Sequence, residues 1–156
     1  MSETASLAPD RSSELIAHVQ AKGQLSAGDL ARARRLADEG GDPLHTMLVR
    51  LGLVSERDMA QAMSEVLDLP LVQAEDLPQE SLPEAPLSER FLRDSHLLPL
   101  AIDDHGLDLA MADPLDDFSL HAVGMAVNRP VSVHIGLPTE IDAALERLFA
   151  PPQDES

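Results

Sequence analysis

A pattern of eleven residues occurs twice in the first half of the chain. The segments Gly23–Ala33 and Gly52–Ala62 share Gly, Ser, Asp, an apolar residue and two Ala at equivalent positions, with an offset of 29 residues. The residue types at these positions and the apolar spacing around them are typical of a duplicated helical unit. The repeat therefore restricts the first half of the chain to a helical architecture made of two similar units.

The residue types within the repeat predict a sharp corner between two helices. Gly23 and Gly52 suit the left-handed conformation that ends a helix. Three residues later, Ser26 and Ser55 suit the N-cap position, where a hydroxyl accepts a hydrogen bond from a free backbone N–H group. Each repeat is therefore predicted to contain a helix, a tight glycine turn and a second, capped helix.

Apolar spacing predicts four helices within residues 12–68. They should form two helical hairpins, joined through Gly40 and Gly41, that pack as a four-helix unit. The residues expected to face its core are Leu15, Ile16 and Val19, then Leu30, Ala33, Leu36 and Ala37, then Leu44, Met47, Leu48 and Leu51, and last Met59, Ala62, Met63, Val66 and Leu67.

The second half has a different pattern, in which short apolar runs alternate with helical stretches. Residues 69–87 are rich in proline and are predicted to be a connector. The order αββαβα is predicted for 88–149, with a helix at 88–93, strands at 97–102, 107–112 and 131–135, a helix from Pro114 to Val127 with Asp113 as its N-cap, and a last helix at 138–149. The fold class is therefore α+β: a four-helix unit of two repeated hairpins, followed by a small three-stranded sandwich. Residues 1–11 are predicted to be a flexible lead and 150–156 a linker or tail.

The charge of the chain excludes several functions. Lys and Arg number 11 and Asp and Glu number 28, which gives a net charge of −17 and disfavours binding to nucleic acid or to an anionic membrane. Lys22 is the only lysine, and the residue after it is not the Ser or Thr that follows the lysine of a Walker A loop. This excludes ATP hydrolysis by a P-loop in this chain. No apolar segment is long enough for a signal peptide or a membrane span, so we expect a cytoplasmic location without direct membrane insertion.

No residue pattern predicts a catalytic, metal or cofactor site. The chain has no Cys, and its six His show no metal-binding spacing. Six aspartates could suggest a cation site, but two of them lie in a predicted turn and three near a helix start, where Asp is favoured for structural reasons. These residues are Asp103, Asp104, Asp108, Asp113, Asp116 and Asp117.

Basic residues concentrate in the helical half, and they are the candidate partner-binding residues. Arg32, Arg34 and Arg35 form the densest basic cluster, and Arg50 and Arg57 flank the second glycine corner. One interpretation is an electrostatic contact for an acidic partner. The other is a solvated helix face whose arginines pair with nearby Asp and Glu. The sequence leaves both interpretations open.

Several ordered segments resemble a known family. They are Arg50–Asp58, Glu65–Val72, His96–Leu100, Leu107–Pro114 and Gly136–Ile141. Together they resemble the N-terminal domain of the type II secretion system ATPase, the E component, closest to the Xanthomonas type and related to type IV pilus assembly ATPases. The resemblance implies a non-catalytic adaptor, with the motor downstream, that binds the cytoplasmic domain of the inner-membrane L-type protein. It also implies a peripheral location at the inner membrane, and a monomer or weak dimer in isolation.

A sub-branch of that family suggests an alternative function, the binding of cyclic di-GMP. It uses paired Arg-Leu-Gly motifs about seven residues before each corner glycine. This chain has 14–16 (Glu-Leu-Ile) and 43–45 (Pro-Leu-His) at those places, and its literal Arg-Leu-Gly at 50–52 is out of register. We therefore predict no nucleotide-binding residue, and keep a cyclic di-GMP sensor as the alternative. A third hypothesis is a regulator that competes with a full-length ATPase for its partner.

Overall fold

The computed structural model describes residues 8–80 and 85–149, which form two compact units divided between Leu69 and Pro70. In chain order the elements are α1 (Ala8–Ala21), α2 (Ala27–Gly40), α3 (Leu44–Arg50), α4 (Glu56–Leu67), a 3₁₀ turn (Ala74–Asp76), α5 (Glu89–Ser95), β1 (Leu97–Asp103), β2 (Gly106–Met111), α6 (Asp117–Val127), β3 (Val131–Ile135) and α7 (Pro138–Phe149). The predicted α+β class is confirmed, with four helices followed by a three-stranded sheet with helices.

Both predicted corners of the first unit are present. Gly23 and Gly52 have φ angles of +76° and +75°, which lie in the left-handed region. The Ser26 hydroxyl accepts a hydrogen bond from the N–H group three residues later at 3.1 Å, and Ser55 does the same at 3.0 Å. In both repeats, therefore, a left-handed glycine forms the corner and a serine caps the helix that follows, α2 or α4.

The helices of the two repeats pack mainly across the repeats. α1 packs against α4, and α2 packs against α3. Each repeat thus covers the apolar side of the other, as expected for units that cannot bury that side alone. The core of the unit contains Leu15, Ile16, Val19, Leu25, Leu30, Ala33, Ala37, Met47, Leu48, Val54, Met59, Ala60, Ala62 and Met63. Of the other predicted core residues, Leu51 is exposed, and Leu36, Leu44, Val66 and Leu67 are half-buried.

The start of the first helix differs from the predicted flexible lead at 1–11. Residues 1–7 lie outside the described residues, but α1 already begins at Ala8. Pro9 is compatible with this start because a first-turn residue needs no backbone N–H group for the helix. The Arg11 side chain pairs with Glu14 at 2.6 Å and donates a hydrogen bond to the carbonyl of Val66 on α4. The end of the predicted lead is therefore part of the packed unit.

The second unit is built on a sheet in the order β1-β2-β3. β1 and β2 form an antiparallel hairpin, while β3 runs parallel to β2 after the crossover through α6. The pairing of β1 shifts between Pro99 and Ala101, which is where a proline is tolerated in an edge strand. Leu71 makes a single parallel bridge to Ile135 on the other side of β3.

Two boundaries in the second unit differ from the prediction. Leu77, in the predicted connector, is buried in the core of this unit, so this part of the predicted connector packs with the second unit. The helix predicted from Pro114 begins at Asp117, with Asp116 as N-cap. Asp113 instead closes a turn, in which its carboxylate accepts a hydrogen bond from the N–H group of Leu115 at 3.1 Å. Residues 150–156, predicted as a linker or tail, lie outside the described part of the chain.

The core of the second unit is formed where the helices cover the sheet. Apolar side chains of β1 and β2 meet those of α6 and α7. Its buried members are Leu77, Leu92, Leu97, Leu98, Leu107, Leu109, Ala110, Met111, Val123, Val127, Ile141, Ala144 and Leu145.

Candidate docking surface

The α2 helix carries three of the five candidate arginines on its exposed side. Leu30, Ala33 and Ala37 face the core. In a helix with 3.6 residues per turn, these positions leave the intervening residues facing water. The structure accordingly exposes the predicted residues Arg32, Arg34 and Arg35.

The pairing of these arginines differs from residue to residue. Arg32 lies 3.4 Å from the Asp29 carboxylate on the same helix. Arg34 and Arg35 have no ion-pair partner among the described residues. An exposed pair stabilises a fold by only about 0–1 kcal/mol, so Arg32 can exchange its partner at little cost. The α2 surface therefore presents three guanidinium groups that an acidic partner could reach.

Arg50 and Arg57 lie on two other helices of the same unit. Arg50 is the last residue of α3 and binds the Asp42 carboxylate at 2.9 Å. Arg57 lies in the first turn of α4, after the Gly52 corner, and already has an interaction partner within the protein. Both side chains are exposed. The structure thus places three of the predicted residues on one helix and the other two around a neighbouring corner.

The positions expected to bind a cyclic dinucleotide carry side chains of unsuitable chemistry. Glu14 is a carboxylate that already pairs with Arg11. Pro43 is the N-cap residue of α3, and His45 is buried within the first unit. Gly52 itself forms the left-handed corner. At the two positions where the family motif supplies arginines, a phosphate would meet the Glu14 carboxylate and the uncharged Pro43.

A cluster around Glu65 joins α1 to α4. Its carboxylate binds His18 at 2.6 Å, Lys22 at 2.8 Å and Gln61 at 3.4 Å. These hydrogen bonds, that of Lys22 first, lower the pKa of Glu65 to about 2 from an ordinary value of 4.5. The only lysine of the chain therefore has a structural contact between helices, and it adds little to any basic docking face.

Asp103, Asp113 and Asp116 serve turns and a helix start in the second unit, whereas Asp108 lies on β2 with its carboxylate 3.9 Å from His134. Asp103 accepts hydrogen bonds from the N–H groups of His105 and Gly106 in the β1–β2 turn. Asp116 caps α6 through both the N–H and the hydroxyl of Ser119. Over residues 8–80 and 85–149, no three His, Asp or Glu side chains come together as metal ligands.

Sequence reasoning missed one exposed apolar feature, on α6. Phe118 is 81% exposed and Met125 is 71% exposed. They are seven residues apart, almost two full turns, so both point to the same side, away from buried Val123. The signal was present, because α6 has apolar residues on all sides and a surface helix normally has a polar side.

None of the helices in residues 8–80 and 85–149 combines the length and the apolar character that a membrane span requires.

The chain is thus an α+β domain in two units, with exposed arginines on α2 and exposed apolar side chains on α6. The chain belongs to the MshEN domain family, whose model matches residues 67–155. It is 48% identical over 130 residues to the type II secretion system protein E of Xanthomonas campestris pv. campestris. It is 31% identical over 103 residues to the type IV pilus assembly ATPase PilB of Thermus thermophilus. These regions cover 81% and 65% of this chain.

Solved structures agree with the sequence relatives. The N-terminal domain of XpsE matches with a TM-score of 0.81 and 41% identity over 90% of this chain and 96% of that one. A structure of MshE with cdg matches with a TM-score of 0.70 and 22% identity, over 86% of this chain and 98% of that one, which supports the shared fold alone. The resemblance to the N-terminal domain of a type II secretion ATPase is confirmed.

The match to the curated relatives is confined to a part of their length. The chain spans 23% of the Xanthomonas protein and 12% of the Thermus protein. The activities and partners of those whole proteins therefore reach this chain only as proposals.

Proposed function

We propose that this domain is a non-catalytic adaptor that docks a type II secretion ATPase onto the cytoplasmic domain of the inner-membrane L-type protein. The observation that carries the proposal is the 48% identity to the type II secretion system protein E. A domain held in this way is peripheral at the inner membrane through its protein partner, and is a monomer or weak dimer by itself.

The arginines of the first unit supply the electrostatic part of this docking. Residues 1–69 contain seven of the 11 basic residues of the chain, against 11 acidic ones. Arg34 and Arg35 are exposed and have no ion-pair partner among the residues that the structure describes, so binding an acidic patch would break no existing pair of theirs. Such contacts at the rim of an interface act mainly on the association rate.

A titration of the full chain with the purified cytoplasmic domain of the L-type protein tests the proposal. We expect saturable binding in the micromolar range. An absence of binding at tens of micromolar would refute the adaptor function.

A pair of charge-reversal variants tests the arginine face. Arg34→Glu with Arg35→Glu should lower the association rate and flatten its dependence on salt. The matched control is Arg90→Glu in the second unit. Arg90 is also highly exposed, and its guanidinium group lies 3.8 Å from the Asp94 carboxylate. Equal association rates for the double variant and the control would exclude a docking role for α2.

The alternative function, a cyclic di-GMP sensor, has the shared MshE fold as its support. Opposing it are the Glu14 carboxylate, which repels phosphate, and the net charge of −17. Calorimetry with cyclic di-GMP distinguishes the two functions. We expect no heat of binding, and saturable micromolar binding would replace the adaptor with the sensor.

A further inference from the structure

The α6 helix exposes an apolar stripe that the fold of the second unit does not use. Only three large hydrophobic side chains are exposed in the described part of the chain, and Phe118 and Met125 are by far the most exposed of them. The half-buried Ala122 lies between them on the helix. A small residue flanked by a large aromatic and a flexible thioether side chain forms a surface into which another helix could insert its own side chains.

The charges near the stripe specify the chemistry of what could cover it. Residues 70–156 contain 17 acidic and four basic residues, a net charge of −13, and no lysine. Three of the acids, Asp113, Asp116 and Asp117, lie at the N-terminal end of α6. A second copy of this chain, with its net charge of −17, would be repelled from this surface, whereas a segment rich in Lys or Arg would be attracted.

We propose that the α6 stripe (Phe118, Ala122 and Met125) is a docking surface for an amphipathic helix whose apolar side is flanked by Lys or Arg. The inference rests on the proposed function, and the helix is assigned to the cytoplasmic domain of the L-type partner. Phe118 enters the contact as its aromatic anchor and Met125 adapts to the side chain opposite. The acids at the start of α6 attract the basic flank, so the complex weakens as salt rises.

Binding of the L-type cytoplasmic domain to variants of the full chain tests the stripe. Phe118→Ser and Met125→Ser remove apolar surface that is already exposed, so the fold should be retained, and far-UV circular dichroism checks this. We expect Phe118→Ser to raise Kd roughly 30-fold or more, the loss typical of an aromatic anchor. The matched control is Ala143→Ser on α7, an exposed position outside the stripe, for which we expect an unchanged Kd.

The charge contribution has its own variant. Asp117→Asn removes one acidic group next to Phe118 and leaves the capping residue Asp116 in place. We expect a several-fold higher Kd and a shallower salt dependence than in the unaltered chain. A steeper salt dependence, or a complex that strengthens with salt, would overturn the assignment of a basic partner.

The outcomes separate failure of this inference from failure of the adaptor function. If the unaltered chain does not bind the L-type domain, the proposed function fails and the inference fails with it. If it binds and the Phe118 variant binds equally well, the adaptor function stands and the stripe is overturned. If sedimentation shows a dimer of the unaltered chain that Phe118→Ser dissociates, a second copy covers α6, and the inference is again overturned.

Discussion

Replacing Gly52 with alanine should destabilise the chain through backbone conformation alone. Gly52 has a φ of +75°, and a Cβ added there would have no atom within 4 Å outside its immediate neighbours. The added methyl group therefore makes no steric clash. Alanine must nevertheless adopt the left-handed region of φ and ψ, which costs an L-residue about 1–2 kcal/mol. This cost is a large fraction of the 5–15 kcal/mol that typically stabilises a folded domain.

The same substitution at Gly28 is the matched control. Gly28 lies within α2, and its added Cβ also meets nothing within 4 Å. Here alanine fits the helix and restricts the unfolded chain, which stabilises by about 0.4–1 kcal/mol. The two Gly→Ala variants should thus differ by about 1.5–3 kcal/mol in the free energy of unfolding. A third variant, Gly52→Asn, should lose less than Gly52→Ala, because asparagine tolerates this conformation, as Asn128 does at φ +54° in this chain.

Urea unfolding of the full chain, followed by far-UV circular dichroism, measures these differences. The expected order of midpoints is Gly28→Ala highest, then the unaltered chain, then Gly52→Asn, then Gly52→Ala. If Gly52→Ala were as stable as Gly28→Ala, the left-handed corner would not be what joins the helices of each repeat. The interpretation of the 29-residue repeat as a pair of glycine corners would then fail.

Two further predictions concern the first unit. The hydrogen bonds from Lys22 and His18 lower the pKa of Glu65 to about 2, below its ordinary value of 4.5. The stability that these contacts contribute is therefore present above pH 4.5 and is lost as the pH falls toward 2. Glu65→Gln should therefore lower stability at pH 7, and the gap to the unaltered chain should close between pH 4.5 and 2 in urea titrations; a gap independent of pH would contradict the assigned pKa. Ser55→Ala should cost about 1 kcal/mol by removing the α4 N-cap, whereas Ser55→Asp should retain the cap. Equal urea midpoints for those two variants would argue against the capping role of Ser55.

The features predicted best from the sequence are those decided within a few residues. The corners at Gly23 and Gly52 depend on one φ angle, and the caps at Ser26 and Ser55 on one hydrogen bond each. The start of α6 was placed three residues too early because Asp113 and Asp116 are both suitable caps. The choice between them is made by burial, since Leu115 is buried and the turn closed by Asp113 holds it in that position.

The exposed arginines could be predicted because α2 has a distinct apolar side. The all-round apolar sequence of α6 indicates an exposed apolar surface, but not on which side of the helix it lies. α6 is apolar on every side, so its sequence does not indicate which side the sheet covers. That choice comes from the crossover between β2 and β3, which turns Ser119, Val123 and Val127 inward and leaves Phe118 outside.

The contrast between the two units in charge bears on how such a domain could bind. Residues 1–69 have a net charge of −4 and contain all five candidate arginines, whereas residues 70–156 have a net charge of −13. A single acidic segment of a partner would be attracted to Arg34 and Arg35 and repelled by the start of α6. A partner that engages both surfaces must therefore present an acidic patch and, separately, a basic amphipathic helix. Such a partner would show opposite changes on charge reversal: Arg34→Glu would be rescued by a basic substitution in one of its segments, and Asp117→Arg by an acidic substitution in another.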